Sequence, residues 1–229
     1  MDESKLNNLD LMFFAAFALI ALIFLTDGWR TRCKQNKRFA ALAAGCASSV
    51  TIVDKYEQRF EFAVNERNFV VAEKLVTTGT GKSSSSSYKL ITTTALRSKA
   101  WQLQFFRARP RGSVENWLVN KLLARAGKPP TNASGDDFAS QFSVENVGGG
   151  LPENWLNQSA KETIKNFYVQ PEHLAELDLE ALTAEQGQLE HRLSTPYKTL
   201  NADNLKALLT RQAGVADSFD EAVRRASQF

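Results

Sequence analysis

The amino-acid sequence predicts an α+β fold behind an N-terminal transmembrane helix: a small antiparallel β-sheet, then helices and a second hairpin. Three observations carry that prediction. The run Leu11–Leu25, LMFFAAFALIALIFL, holds no charged or polar side chain. Residues 50–112 are rich in β-branched and aromatic residues, with stretches of period-two alternation. The distal part carries helix-start residues at Ser113, Ser159 and Asn201 ahead of amphipathic stretches.

With Thr26 the apolar run is about 16 residues, or roughly 24 Å of helix, short for a bilayer core of about 30 Å. Extension towards Asp10 and to Trp29 gives a sufficient length, so the span is assigned to 11–29 behind a short tail, 1–10. Leu11, Phe13, Phe14, Phe17, Leu19, Ile20, Leu22, Ile23, Phe24 and Leu25 supply its apolar surface, and Trp29 an interfacial anchor. A helix of a globular core usually keeps a polar stripe, and this one has none; a soluble core helix is the alternative. Arg30, Arg32, Lys34, Lys37 and Arg38 follow the run, whereas Asp2, Glu3 and Asp10 outweigh Lys5 before it. The positive-inside rule then places the N-terminus outside and the main domain in the cytoplasm, at a bacterial inner membrane. A cleaved secretory signal fits poorly, because its leading region should be positive and no small-residue cleavage site follows.

Residues 30–49 form a basic, Ala-rich juxtamembrane segment. Within it, Leu42-Ala-Ala-Gly45-Cys46 matches a lipoprotein box, and acylation at Cys46 would place the domain on the other side of the membrane. Its apolar lead-in, Phe39–Ala44, is shorter than the roughly 7–15 residues expected, which favours a small-residue helix with a buried free thiol.

The net charge of +3 is divided along the 229 residues. Residues 27–128 hold 19 Lys/Arg against 7 Asp/Glu, and residues 129–229 hold 8 against 15. A basic membrane-proximal half suits an anionic bilayer surface as well as an ordinary solvated one. The two cysteines, Cys33 and Cys46, make no disulfide framework and too few ligands for structural zinc.

The soluble domain is assigned to 50–229: β-rich 50–112, helix 113–127, linker 128–137, mixed or helical 138–229. Val50–Val53, Tyr56–Val64, Phe69–Val76, Tyr88–Leu96 and Trp101–Phe106 read as strands of a four- to six-stranded antiparallel sheet. Thr77–Ser87, TTGTGKSSSSS, reads as a polar loop between two of them. Ser113 caps a helix that Gly127 and Pro129-Pro130 end. Phe138–Val144 reads as a short strand and Gly148–Gly150 as a turn. Ser159-Ala-Lys-Glu162 matches a capping box. Leu174–Leu182 and Gln188–Leu193 pair as a hairpin around Ala184–Gly187, with helix as the alternative. Asn201 or Asp203 starts a last helix to about Ser227, with Leu205, Leu208, Leu209, Phe219, Ala222 and Val223 on its apolar side.

Catalytic and metal-binding patterns are missing from the sequence. GTGKSSSSS lacks the first glycine of a phosphate loop, since Val76 stands there, and β-type sequence follows it. His173 and His191 form no HExxH, and neither cysteine has an evident histidine partner to activate it. Both histidines read as surface or hairpin residues. Asn132-Ala-Ser134 and Asn157-Gln-Ser159 are glycosylation sequons that a cytoplasmic domain leaves inert. The best candidate surface is cationic: Arg107, Arg109 and Arg111 beside Trp101, Phe105 and Phe106, together with Lys37 and Arg38. Such a surface, read as a basic loop before the helix, suits anionic lipid headgroups, with nucleic acid the less favoured ligand.

The chain resembles a family of bacterial single-pass membrane-anchored proteins built around a domain of unknown function. The resemblance rests on the anchor ending in Trp29 and basic residues, Arg38-Phe-Ala-Ala-Leu-Ala43, Tyr56-Glu-Gln-Arg-Phe60-Glu-Phe62, the TTGTGKSSSSS loop with Thr92-Thr-Thr-Ala-Leu96, and Asp137-Phe-Ala-Ser-Gln-Phe142-Ser-Val144. Gly45-Cys46 departs from the family's Gly-Phe. The resemblance implies an inner-membrane setting and an α+β domain, and carries over no catalytic residue or cofactor. The function expected is therefore a non-enzymatic adaptor or accessory subunit of a larger membrane assembly that binds protein partners. A membrane-tethered enzyme or binding protein acting on lipid or envelope substrates, and a lipoprotein acylated at Cys46, are the alternatives.

Overall fold

The computed structural model describes residues 3–78, 84–111, 137–148, 151, 155–169, 179–193 and 200–226; in the first helix, side chains are described at 13–22, 26 and from 29 onward. The chain divides into two compact units, Met1–Leu42 and Ala43–Phe229.

The described residues of the first unit lie within one unbroken helix, α1 (Glu3–Gly45). The predicted anchor and the basic, Ala-rich segment are thus a single rod, since neither Pro nor a capping sequence interrupts 3–45. Among the described residues no helix is long and apolar enough to cross a membrane. Described side chains cover only Phe13–Leu22 of the apolar run, about 15 Å of helix, so the described stretch alone is too short to support the span assigned to 11–29. The side chains of Leu11, Ile23, Phe24 and Leu25 lie outside the described residues.

The second unit is an α+β domain on an eight-stranded, wholly antiparallel sheet, wider than the four to six strands predicted. Its strands are β1 (Thr51–Ile52), β2 (Glu57–Val64), β3 (Arg67–Thr78), β4 (Ser85–Ala95), β5 (Gln104–Pro110), β6 (Phe142–Gly148), β7 (Leu179–Glu185) and β8 (Gln188–Leu193), in the order β1-β2-β3-β4-β8-β7-β5-β6. The predicted second hairpin, β7–β8, thus sits in the middle of the sheet and joins the first four strands to β5 and β6. Its turn residues Gln186 (φ 50) and Gly187 (φ 74) are both left-handed, as a two-residue hairpin that follows the strand twist requires. Asn65 and Glu66 do the same between β2 and β3.

Several predicted elements are corrected. Trp101-Gln-Leu103 is not strand but part of a 3-10 turn, Lys99–Leu103, capped by Ser98, whose side chain accepts from the Ala100 N–H. That turn drops Trp101 into the core, where it is fully buried, and β5 starts only at Gln104. Phe138–Gln141 belongs to a short helix, α2 (Asp137–Gln141), and the strand begins at Phe142. The rings of Phe138 and Phe142 stack at 4.8 Å, a contact that helical i,i+4 spacing permits and strand alternation does not. Helix α3 (Gln158–Tyr168) is capped by Asn157, which accepts the Ala160 N–H, and not by the predicted Ser159 box. Helix α4 (Ala202–Ala226) opens on Asn201, whose side chain accepts the Asn204 N–H at 2.8 Å. The helix expected at 113–127, most of the linker and His173 lie outside the described residues.

One face of the sheet carries the core. Register lines up Phe60, Val71, Thr92, His191, Leu182 and Ala108 across six strands, and Phe62, Phe69, Thr94, Leu189, Ala184 and Phe106 in the next row. Helix α4 buries Leu205, Leu208, Leu209, Gln212, Ala213, Ala216, Phe219 and Val223, the 3.6-residue stripe of an amphipathic helix. Phe219 stacks on Trp101 at 5.2 Å and meets Phe106 and Trp155 edge-on at 5.3 Å each. Such pairs add about 0.5–1.5 kcal/mol to the burial of each ring. Gln212, wholly buried, replaces an apolar contact with three bonds: its Oε1 accepts from Thr92 Oγ1 (2.6 Å), and its Nε2 donates to the Thr92 and Leu189 carbonyls (3.1 Å each). Arg211 donates to the carbonyls of Asn166 and Val169 at the end of α3, supplying the acceptors there with a cationic C-cap.

Candidate functional site

The opposite face of the sheet is polar, because period-two alternation sends every second side chain to that side. Arg59, Glu61, Lys74, Lys89, Glu190, Arg192, Thr183, Glu185, Arg107 and Arg109 stand on it. Several of its charges are in cross-strand or local pairs: Lys74 with Glu57 (3.1 Å), Arg192 with Glu190 (2.6 Å) and Lys89 with Glu180.

The three arginines read as a basic loop are in fact on, or one residue beyond, a strand paired on both sides. Arg107 and Arg109 belong to β5 and Arg111 follows it by one residue, so all three alternate onto the polar face while Phe106 and Ala108 face the core. With Pro110 they form one wall of a groove of about 380 Å³, whose other wall is Leu179, Glu180 and Ala181 at the start of β7. A register shift between Leu179 and Leu182 bulges β7 at this point, and so opens the groove. Tyr168 ties the two walls from beneath: its hydroxyl donates to the Glu180 carbonyl (2.8 Å) and the Ala108 carbonyl (3.1 Å). Burial pushes that phenol far above its usual range, so it stays a neutral donor.

The arginines differ in how they are held. Arg111 donates its backbone N–H to the Gln141 carbonyl (2.8 Å) and Nε to the Phe142 carbonyl (3.0 Å). Arg107 is half-buried, and its Nε is out of reach of solvent without an acceptor. Glu145 is its register partner on β6, and the two form no ion pair. The aromatic residues expected beside the arginines are mostly elsewhere: Trp101 and Phe106 are in the core, and only Phe105 shares their face. Lys37 and Arg38 are exposed on α1 in the other unit. There, Arg30, Lys34, Lys37 and Arg38 fall at i, i+4, i+7 and i+8, on one side of the helix.

The anchor residues with described side chains are all exposed: Phe13, Phe14, Phe17, Leu19, Ile20 and Leu22 by 49–77%, and Trp29 by 70%. At about 100° per residue they point around the whole circumference of α1. Cys46 is buried, and burial raises its thiol above the ordinary range, which makes it a poor nucleophile.

Three clusters went unread in the sequence. Arg67 is buried under α4, with Nε donating to Asp217 (2.9 Å), NH2 to Asp220 (2.6 Å) and NH1 to the Ala95 carbonyl (2.6 Å). Asp220 also accepts the backbone N–H groups of Arg97 (2.9 Å) and Ser98 (3.0 Å). A second groove, of about 470 Å³, opens beside this cluster, but these carboxylates are committed to the fold. His191, expected at the surface or in a hairpin, is on hairpin strand β8 but wholly buried, edge-on to Phe167 at 4.8 Å, with neither ring nitrogen bonded. Burial lowers its pKa to about 3, so the imidazole is neutral at any physiological pH. Glu73 is also fully buried, hydrogen-bonded by Gln58 at 2.6 Å. Among the described residues no three His, Cys, Asp or Glu side chains group to hold a metal ion. Comparison of the chain with protein-family models, with curated proteins and with solved structures finds no match.

Proposed function

We propose that the protein is a single-pass bacterial inner-membrane protein whose α+β unit serves as an adaptor or accessory subunit of a larger assembly. The observation that carries this reading is the unpartnered apolar surface of α1: six large side chains between Phe13 and Leu22, pointing in all directions and all exposed. Water disfavours such a surface at about 25 cal/mol per Å², whereas lipid tails cover it without loss. Trp29 and the basic residues from Arg30 to Arg38 match the headgroup level that would follow, with the N-terminus outside and the folded unit in the cytoplasm. The carboxylates Asp217, Asp220, Glu221 and Glu180 at the grooves of the folded unit are taken up by ion pairs and backbone bonds, which favours binding over turnover. Protein partners are its expected ligands, with anionic lipid headgroups at the basic stripe of α1.

The test is extraction of the tagged native protein in a mild detergent, after an alkaline carbonate wash of the membranes. Retention through the wash and a stoichiometric complex larger than the monomer are expected. Release by carbonate would overturn the anchor, and a solitary protein with a turnover activity would overturn the adaptor.

A further inference from the structure

We propose that the groove of Arg107, Arg109 and Arg111 binds a phosphate group, carried by a soluble phosphate ester or by a lipid headgroup. The inference goes beyond the adaptor reading and does not depend on it.

Alternation along β5 repeats the arginines on one face about every 6.6 Å, twice the strand rise. That spacing lets guanidinium forks converge on one tetrahedral anion from the side. Arg107 carries the argument. Its side chain is half-buried, and its Nε is cut off from water with no acceptor among the described residues. A buried cationic donor without an acceptor is costly, and an oxyanion seated in the groove supplies the missing acceptor. Arg111 uses its Nε to fix its guanidinium on the Phe142 carbonyl, which leaves its terminal N–H groups to point at a ligand. Among the described residues that line the groove, Glu180 alone carries a carboxylate, and it is paired with Lys89. Arg107 and Arg111 thus bring two guanidinium groups to the wall of the groove, a match for an oxyanion. Leu179, Ala181 and Pro110 complete an apolar floor, and about 380 Å³ lies at the lower end of small-ligand sites. Without Trp101 and Phe106 on this face, the stacking platform of a single-stranded nucleic-acid site is not built.

The experiment is isothermal titration of inorganic pyrophosphate into the full chain in a neutral detergent, at constant ionic strength. A parallel titration uses mixed micelles containing phosphatidylglycerol against phosphatidylcholine. Arg107→Gln and Arg111→Gln should each weaken binding at least tenfold, whereas Arg59→Gln, an exposed arginine on β2 of the same face, should leave it unchanged. Urea unfolding of every variant checks the fold, and the Arg111 variant carries the test if Arg107→Gln fails to fold. Binding of pyrophosphate with this pattern assigns a soluble phosphate compound; the same pattern with phosphatidylglycerol micelles alone assigns a headgroup. Silence in both titrations, equal loss in Arg59→Gln, or unchanged binding in Arg107→Gln and Arg111→Gln overturns the proposal. Co-purification of partners is not read in this experiment, so its failure leaves the adaptor reading where it stood.

Discussion

Acid should unfold this protein through His191 before most of its carboxylates titrate. The imidazole is wholly buried, faced by Phe167 from α3, Gln212 from α4, Thr92 from β4 and Leu182 from β7. The carboxamide oxygen and nitrogen of Gln212 are both already engaged, and neither ring nitrogen finds a partner. Burial therefore lowers the pKa from 6.5 to about 3, and the charge of Glu180 opposes that shift only weakly. The folded state keeps His191 neutral while the unfolded chain takes up a proton below pH 6.5. Its contribution is thus complete above 6.5 and is lost as pH falls towards 3, by about 1.4 kcal/mol per pH unit. At pH 5 the loss reaches about 2 kcal/mol, a large share of a stability of roughly 5–15 kcal/mol.

The substitution that isolates this effect is His191→Leu, close in volume and without polar atoms. Removing two unbonded ring nitrogens from the core should leave the variant equal to the parent or about 1 kcal/mol more stable at pH 7. Between pH 7 and pH 5 the gap should widen by about 2 kcal/mol, because every other titrating group is common to both chains. Urea unfolding followed by tryptophan fluorescence at pH 7, 6 and 5 reads the difference directly, Trp101 and Trp155 both being buried. Parallel stability curves for the two chains would refute the reasoning, since they would mean that His191 is hydrated or bonded in the native state.

Asp220→Ala should cost about 3 kcal/mol and lower Tm by roughly 6–12 °C, because it strips Arg67 of a buried partner and leaves two backbone N–H groups unpaired. Asp217→Ala, at a carboxylate 53% exposed, should cost about 1 kcal/mol or less in the same calorimetric scan. Glu66→Gly should stabilise the β2–β3 turn by about 1 kcal/mol in urea unfolding, since Glu66 sits at φ 61 where glycine is unstrained. Gly187→Ala should lose about 1–2 kcal/mol by the same measurement: φ is 74, and an added Cβ would run into the side-chain amide of Gln102.

Local elements were legible because their signals are local. Tyr56–Val64 and Phe69–Val76 read close to β2 and β3, since alternation and flanking turn residues mark both ends. The last helix was expected from Asn201 or Asp203 to Ser227 and spans Ala202–Ala226, its apolar stripe continuous throughout. Strand order was not legible, because β8 reaches β4 across a hundred residues of chain and no period in either strand names its partner. Trp101 and Phe138 show a second limit. Both stand in runs of strand-forming residues, yet each becomes helical because one ring must reach a core that only the assembled sheet defines.

The arginines show the same limit at the candidate site. Their clustering at 107, 109 and 111 was visible, and so was a preference for anions, since three cations without an intervening acid attract one in any conformation. Their conformation was misread, because Pro110 and the approaching glycine at 112 look like a loop. Pro110 is tolerated in β5 because it is the last residue of the strand. The difference decides the chemistry. Three arginines on a loop are solvated charges that screen within about 8 Å at physiological salt. On a strand, Ala108 faces the core and the arginines the other side, Tyr168 clamps β5 to β7 beneath them, and the bulge at Leu179 opens a concave wall opposite. Neither has a sequence signature: the bulge is a shift in the pairing of β7 with β8, and the clamp joins Tyr168 to Ala108 across 60 positions. An anion that merely neutralised the patch would respond to any lost charge on this face; one held by the groove responds to Arg107 and Arg111 and ignores Arg59.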